Sequence, residues 1–106
     1  MITVAQFALK LAHTQVIDMP RGAKLRSVGL QFGDLWLYAE VDTDQVNEKR
    51  EFRIVNTGQE VRLSQESPRS LVYVNSVSLE SAGRVFVWHI YEIVRSTLRG
   101  EAVHGS

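Results

Sequence analysis

The sequence predicts an all-β domain: an antiparallel β-sandwich or flattened small barrel of about seven or eight strands, followed by a short polar C-terminal tail. Three observations predict it. Short runs in which apolar and polar residues alternate recur about every ten residues. Turn signals such as PRGA, Gly33-Asp34 and ESAG separate them. The most apolar run, RVFVWHIYEI (84–93), is strand-like and directly follows another such run across the ESAG turn.

The elements follow in order. TVAQFAL (3–9) and TQVIDM (14–19) are the first two strands, and PRGA then turns the chain, because Pro20 fixes φ and Gly22 tolerates φ > 0. KLRSVGLQF and LWLYAEVD form a hairpin through Gly33-Asp34, which as a glycine-first pair fits a type II′ turn. That register sets Phe32 against Leu35, Leu30 against Leu37, Val28 against Ala39 and Arg26 against Val41, on the core side. Trp36, Tyr38 and Glu40 take the other side, with Tyr38 over the bare backbone of Gly29. TDQVNEK (43–49) reads as a polar loop. In EFRIVNTG, Phe52 and Ile54 share one side and Arg53 and Val55 the other, and Gly58 ends the strand. QEVRLSQESPRS is ambiguous and is broken by Ser67-Pro68.

LVYVNSVSL and RVFVWHIYEI form the last hairpin around a four-residue loop, Glu80 to Gly83. Its expected register puts Val77 opposite Phe86 and Tyr73 opposite Ile90. On the reverse side Val74 meets His89 and Val72 meets Tyr91. Both sides are largely apolar, which suits a ribbon covered twice, by a second layer or another subunit. Residues 1–93 thus form one domain. Residues 94–106 form a tail, helical to about Leu98 and frayed beyond.

Composition narrows the function classes. The chain has 106 residues, 44% hydrophobic and 23% charged, as a folded domain has. Lys+Arg and Asp+Glu number 12 each. Zero net charge disfavours nucleic acid and anionic membranes as partners and eases self-association. With no cysteine, disulfides, thiolate metal sites and a cysteine nucleophile are excluded. The opening MITVAQFALKLAHTQV lacks a basic segment ahead of its apolar residues, and Gln6 and Lys10 interrupt them, so it is not a secretory signal. No apolar run approaches the roughly 20 residues that span a bilayer. A cytoplasmic protein without cofactor or metal is the expectation.

Individual motifs are weak. His89 stands alone: His13 and His104 lie in unrelated contexts, and no HxH or HxxxH spacing exists. Its expected neighbours suit packing and one satisfied hydrogen bond better than acid–base work. Asp42 and Asp44 lack the glycine and terminal glutamate of a Ca²⁺ loop. Glu40 and Asp42 share a strand side, as a solvated face would. Arg21, Lys24 and Arg26 in PRGAKLR lie close enough to clamp a phosphate, although charged turns are ordinary surface. EKREFR mixes signs and makes a weaker case. Trp36 and Tyr38, aromatics on a polar strand side, are the best surface candidates for stacking a base or anchoring a partner. The ligand-binding candidates are therefore Arg21, Lys24, Arg26, Trp36 and Tyr38. The candidate subunit interface is Val72, Val74, Val85, Val87, His89 and Tyr91. No nucleophile–base pair, metal set or phosphate loop marks a catalytic site.

Taken together, MPRGAKLRSVGLQFGDLWLYAEVD, EFRIVNTGQEV and LVYVNSVSLESAGRVFVWHIYE resemble a family of small phage and prophage proteins described only as a domain of unknown function. The likeness rests on Pro20, Gly22, Ala23, Ser27 and Val28. It continues through Leu35, Trp36, Val41 and Asp42, then Phe52, Ile54, Thr57 and Gly58. It ends on Val85, Phe86, His89, Tyr91 and Glu92, and covers roughly residues 14 to 92. The resemblance implies a phage-encoded accessory protein in the host cytoplasm and supplies no functional residues. Three expectations follow: a non-enzymatic binder of a host protein, acting against host defences; an oligomer that sequesters a small anionic, nucleotide-type signal; and a virion or assembly component.

Overall fold

A computed structural model describes residues 1–11, 14–59 and 69–95. Its seven strands are β1 (Ile2–Leu9), β2 (Thr14–Pro20), β3 (Lys24–Gln31), β4 (Asp34–Asp42), β5 (Asn47–Asn56), β6 (Arg69–Ser81) and β7 (Arg84–Arg95). They build two antiparallel sheets, ordered β1-β4-β3 and β2-β5-β7-β6. The two sheets pack as a sandwich, without closing into a barrel. No helix among the described residues is long and apolar enough to cross a membrane. β7 runs on through Val94, which is buried, to Arg95, so the expected tail does not begin at residue 94; the rest of the expected helical turn to about Leu98, and most of the ambiguous QEVRLSQESPRS, lie outside the described residues.

Alternation decides the core. In β4 the odd residues Leu35, Leu37, Ala39 and Val41 are buried, whereas Asp34 is exposed and the other even residues are only half-buried. They meet Phe52 and Ile54 of β5, Met19 of β2, and Ile90 and Val77 of the last hairpin. Phe52, Met19, Leu37 and Ile90 are the largest fully buried side chains, each worth about 1.5–3 kcal/mol of transfer free energy. Strand bounds match the expected runs to within a few residues. The exception is TDQVNEK: Asn47–Lys49 already belong to β5 and pair with Pro20, Met19 and Asp18.

The hairpin registers differ from expectation. Gln31 pairs with Asp34 and Leu30 with Leu35, so the first turn is Phe32-Gly33, one residue earlier than predicted. Ser81 pairs with Arg84, which makes the second turn Ala82-Gly83, two residues rather than four. All four turn residues have positive φ, 53° and 81° in the first and 52° and 76° in the second. That is the type I′ pattern, whose twist matches antiparallel strands. Placing an L-residue there costs roughly 1–2 kcal/mol. The first shift overturns one core assignment: Phe32 is not packed on Leu35 but stands at the hairpin tip, 97% exposed.

Each edge strand along one flank carries a bulge. The β3–β4 register slips between Leu25 and Ser27, and the β6–β7 register between Tyr73 and Asn75. The extra residues are Arg26 and Val74. The earlier turn moves Arg26 off its predicted place opposite Val41, and the first bulge leaves it without a partner position on β4. The second reverses the sides of the residues before it. Tyr73 pairs with Tyr91 and Val72 with Glu92, where Ile90 and Tyr91 had been expected.

Candidate functional site

The outer face of the three-stranded sheet is built in rows across β1, β4 and β3. Trp36 lies between Ala8 and Gly29, Tyr38 between Gln6 and Ser27, Glu40 between Val4 and Lys24, and Asp42 beside Ile2. Trp36 is half-buried on this face, with only the small neighbours Ala8 and Gly29 in its row. Tyr38 leans across Gly29, its Cε2 lying 3.7 Å from where a β-carbon would sit, so the ring covers bare backbone as expected. Ile2 and Val4 are 63% and 62% exposed on the same face. One end is thus aromatic, the other charged, with two exposed aliphatics along the β1 side.

The three cations do not form an open anion clamp. Arg26 Nη2 donates to Glu40 Oε1 at 3.1 Å. Arg21 and Lys24 line a cleft of about 100 Å³ that Glu40 and Asp42 line as well. The sheet therefore sets carboxylates beside the basic residues, and Trp36 lies rows away from that cleft. Asp42 is held below the usual carboxylate range, first by the Asp44 backbone N–H it accepts and then by the Met1 ammonium. The ammonium is raised in turn, mainly by its 2.9 Å contact with Asp44 and then by Asp42.

The six candidate interface residues do not share one face. Val85, Val87, His89 and Tyr91 lie on the outer side of the four-stranded sheet. Val74, the bulged residue, packs against the main core, and Val72 turns to the side of Glu92. His89 sits opposite Ser76 rather than Val74. Its Nε2 is 2.8 Å from Thr57 Oγ1, a hydroxyl that also contacts Val87 O at 3.4 Å. Tyr91 meets Tyr73 edge to face, ring centroids 5.5 Å apart.

Sequence reasoning missed the polar centre of the molecule. Arg50 and Glu92 form a buried bidentate pair, Nε to Oε2 at 2.6 Å and Nη2 to Oε1 at 2.8 Å, while Nη1 donates to the Ala23 carbonyl. The pair floors a groove of about 310 Å³ between the flanking edges of the sheets, with Lys24 and Tyr73 among its lining residues. Strand parity carried the signal: Arg50 falls in phase with Phe52 and Ile54, and Glu92 with Ile90. A second groove of about 310 Å³ opens at the β3–β4 turn and is lined by Trp88 and several leucines. Trp88 Nε1 is buried there with no hydrogen-bond partner among the described residues.

A family model described as a domain of unknown function (DUF7352) matches residues 1–99. No functionally curated protein and no solved structure matches the chain.

Proposed function

Since the chain belongs to this family of unknown function, we propose that it is a phage- or prophage-encoded accessory protein, not an enzyme, that binds a host protein in the host cytoplasm. The reading is carried by the outer face of the three-stranded sheet, where Trp36 and Tyr38 hold one end and exposed Ile2 and Val4 flank Asp42 and Glu40 at the other. Aromatic anchors with an aliphatic border and a charged end form a protein-binding surface: the rings supply area at low entropic cost, and Glu40, Asp42 and Lys24 set orientation. A host defence protein is the class of partner in view. The nucleotide-sequestering alternative draws less support, because Arg26 is engaged by Glu40 and acids line the cleft that Arg21 and Lys24 share.

The test is crosslinking in host cells with the wild-type chain and the Trp36→Ala variant. One crosslinked partner, identified by mass and bound at least about tenfold more weakly by Trp36→Ala, is the expected result. A cooperative melt must show that the variant stays folded. Undiminished capture by folded Trp36→Ala excludes this face. A melting temperature raised by cyclic nucleotides or ADP-ribose derivatives instead favours the sequestering alternative.

A further inference from the structure

Phe32 poses a problem the monomer does not solve. Its ring is 97% exposed, at a turn position with φ of 53°. Type I′ turns favour Asn, Asp or Gly there, so neither the turn nor the core asks for phenylalanine. The next two residues, Gly33 and Asp34, line the groove of about 310 Å³ at the same end of the sandwich. Leu9, Leu30 and Leu35 wall it from one sheet and Val77, Leu79 and Trp88 from the other. An aromatic knob therefore stands beside an apolar socket of the size of a small ligand cleft, roughly 300 Å³ or more.

We infer that two copies of this chain associate end to end about a twofold axis, each inserting Phe32 into the other's groove. Knob and socket lie next to each other, which is what a self-complementary contact needs. Lys10 and Asp34, of opposite charge, also line the groove. The twofold brings Lys10 of one protomer toward the partner's Asp34, and the reverse. Zero net charge leaves no long-range repulsion to oppose the pairing. The contact is one end of a small domain, so the dimer is weak and concentration-dependent. The Trp36 row borders this end of the sandwich, but Trp36 does not line the groove, so Phe32→Asn and Trp36→Ala test the two proposals apart.

The experiment is sedimentation velocity on the full chain over a concentration series. Wild-type sedimentation rises with concentration. Phe32→Asn, which suits the turn, keeps or raises the melting temperature and weakens the dimer at least about tenfold. Lys10→Glu and Asp34→Lys each weaken it, and the two together in one chain restore it. In a Trp36→Phe background, Trp88 emission shifts on dilution of the dimer. A wild-type monomer at every concentration overturns the proposal. So does a dimer that Phe32→Asn leaves intact, or native mass spectrometry showing the monomer's groove filled by a small apolar molecule.

Discussion

Arg26–Glu40 and Arg50–Glu92 each join neighbouring strands, and they differ in where they lie. Arg26–Glu40 spans β3 and β4 on a solvent face, with side chains 53% and 35% exposed. Arg50–Glu92 spans β5 and β7 inside the sandwich, at 4% and 5%. The exposed pair meets through a contact of 3.1 Å; the buried one makes two short ones and adds a backbone carbonyl. In water both charges keep their solvation, and the pair contributes about 0–1 kcal/mol. Inside, each charge has lost solvation worth several kcal/mol, and its partner is what compensates. Burial, more than chemistry, decides what each pair does for the fold.

The comparison can be broken most sharply at Glu92. Glu92→Gln leaves the Arg50 guanidinium buried without its carboxylate, and stability falls by about 3–5 kcal/mol in urea unfolding. The melting temperature drops by more than about 10 °C. Arg50→Met combined with Glu92→Leu removes both charges. It should return stability to within about 2 kcal/mol of wild type, or raise it. A double variant as unstable as Glu92→Gln would show that the pair also sets the geometry of the Ala23 turn. On the solvent face, Glu40→Gln should cost no more than about 1 kcal/mol, a difference that shrinks in high salt. The smallest effect belongs to Asp42, whose carboxyl is depressed mainly by the Asp44 N–H. Its contribution is complete above the ordinary carboxylate pKa and is lost as pH falls through the depressed folded value. The Met1 ammonium is raised, so its contribution is complete below its ordinary value and is lost as pH rises through the folded one. Asp42→Asn, which keeps an acceptor, should preserve slow exchange of the Asp44 amide in NMR; Asp42→Ala should not.

Much of the fold was legible because strand alternation survives a register error of two residues. Shifting the turns to Phe32-Gly33 and Ala82-Gly83 changed which residues pair, yet Leu35, Leu37 and Ala39 kept their inward sides. The turns were misplaced because Phe and Ala are poor choices for a left-handed position, so Gly33 was read as the first turn residue of one hairpin and the other was given a longer loop, Glu80 to Gly83. The bulge at Val74 was not legible. No glycine marks it, and a one-residue insertion reverses every side chain beyond it. That is why Val72 and Val74 part from Val87 and His89. Arg50 and Glu92 were hidden for another reason: their charge argued for the surface while their phase argued for the core, and phase prevailed because each supplied the other's partner. Trp36 and Tyr38 were found where alternation placed them.

The order of the strands bears on how the protein is made. The ribosome releases β1 and β2 first, but β1 pairs with β4 and β2 with β5. Neither has a partner until the middle of the chain has emerged. The first hairpin available, β3–β4, completes the smaller sheet, whereas β5 must wait for β7, the last strand of the described chain, before its own sheet closes. At about 5–20 residues per second, the N-terminal third spends seconds as two unpaired, partly apolar segments. A nascent-chain chaperone, or a neighbouring nascent copy, meets those segments before their proper partners do.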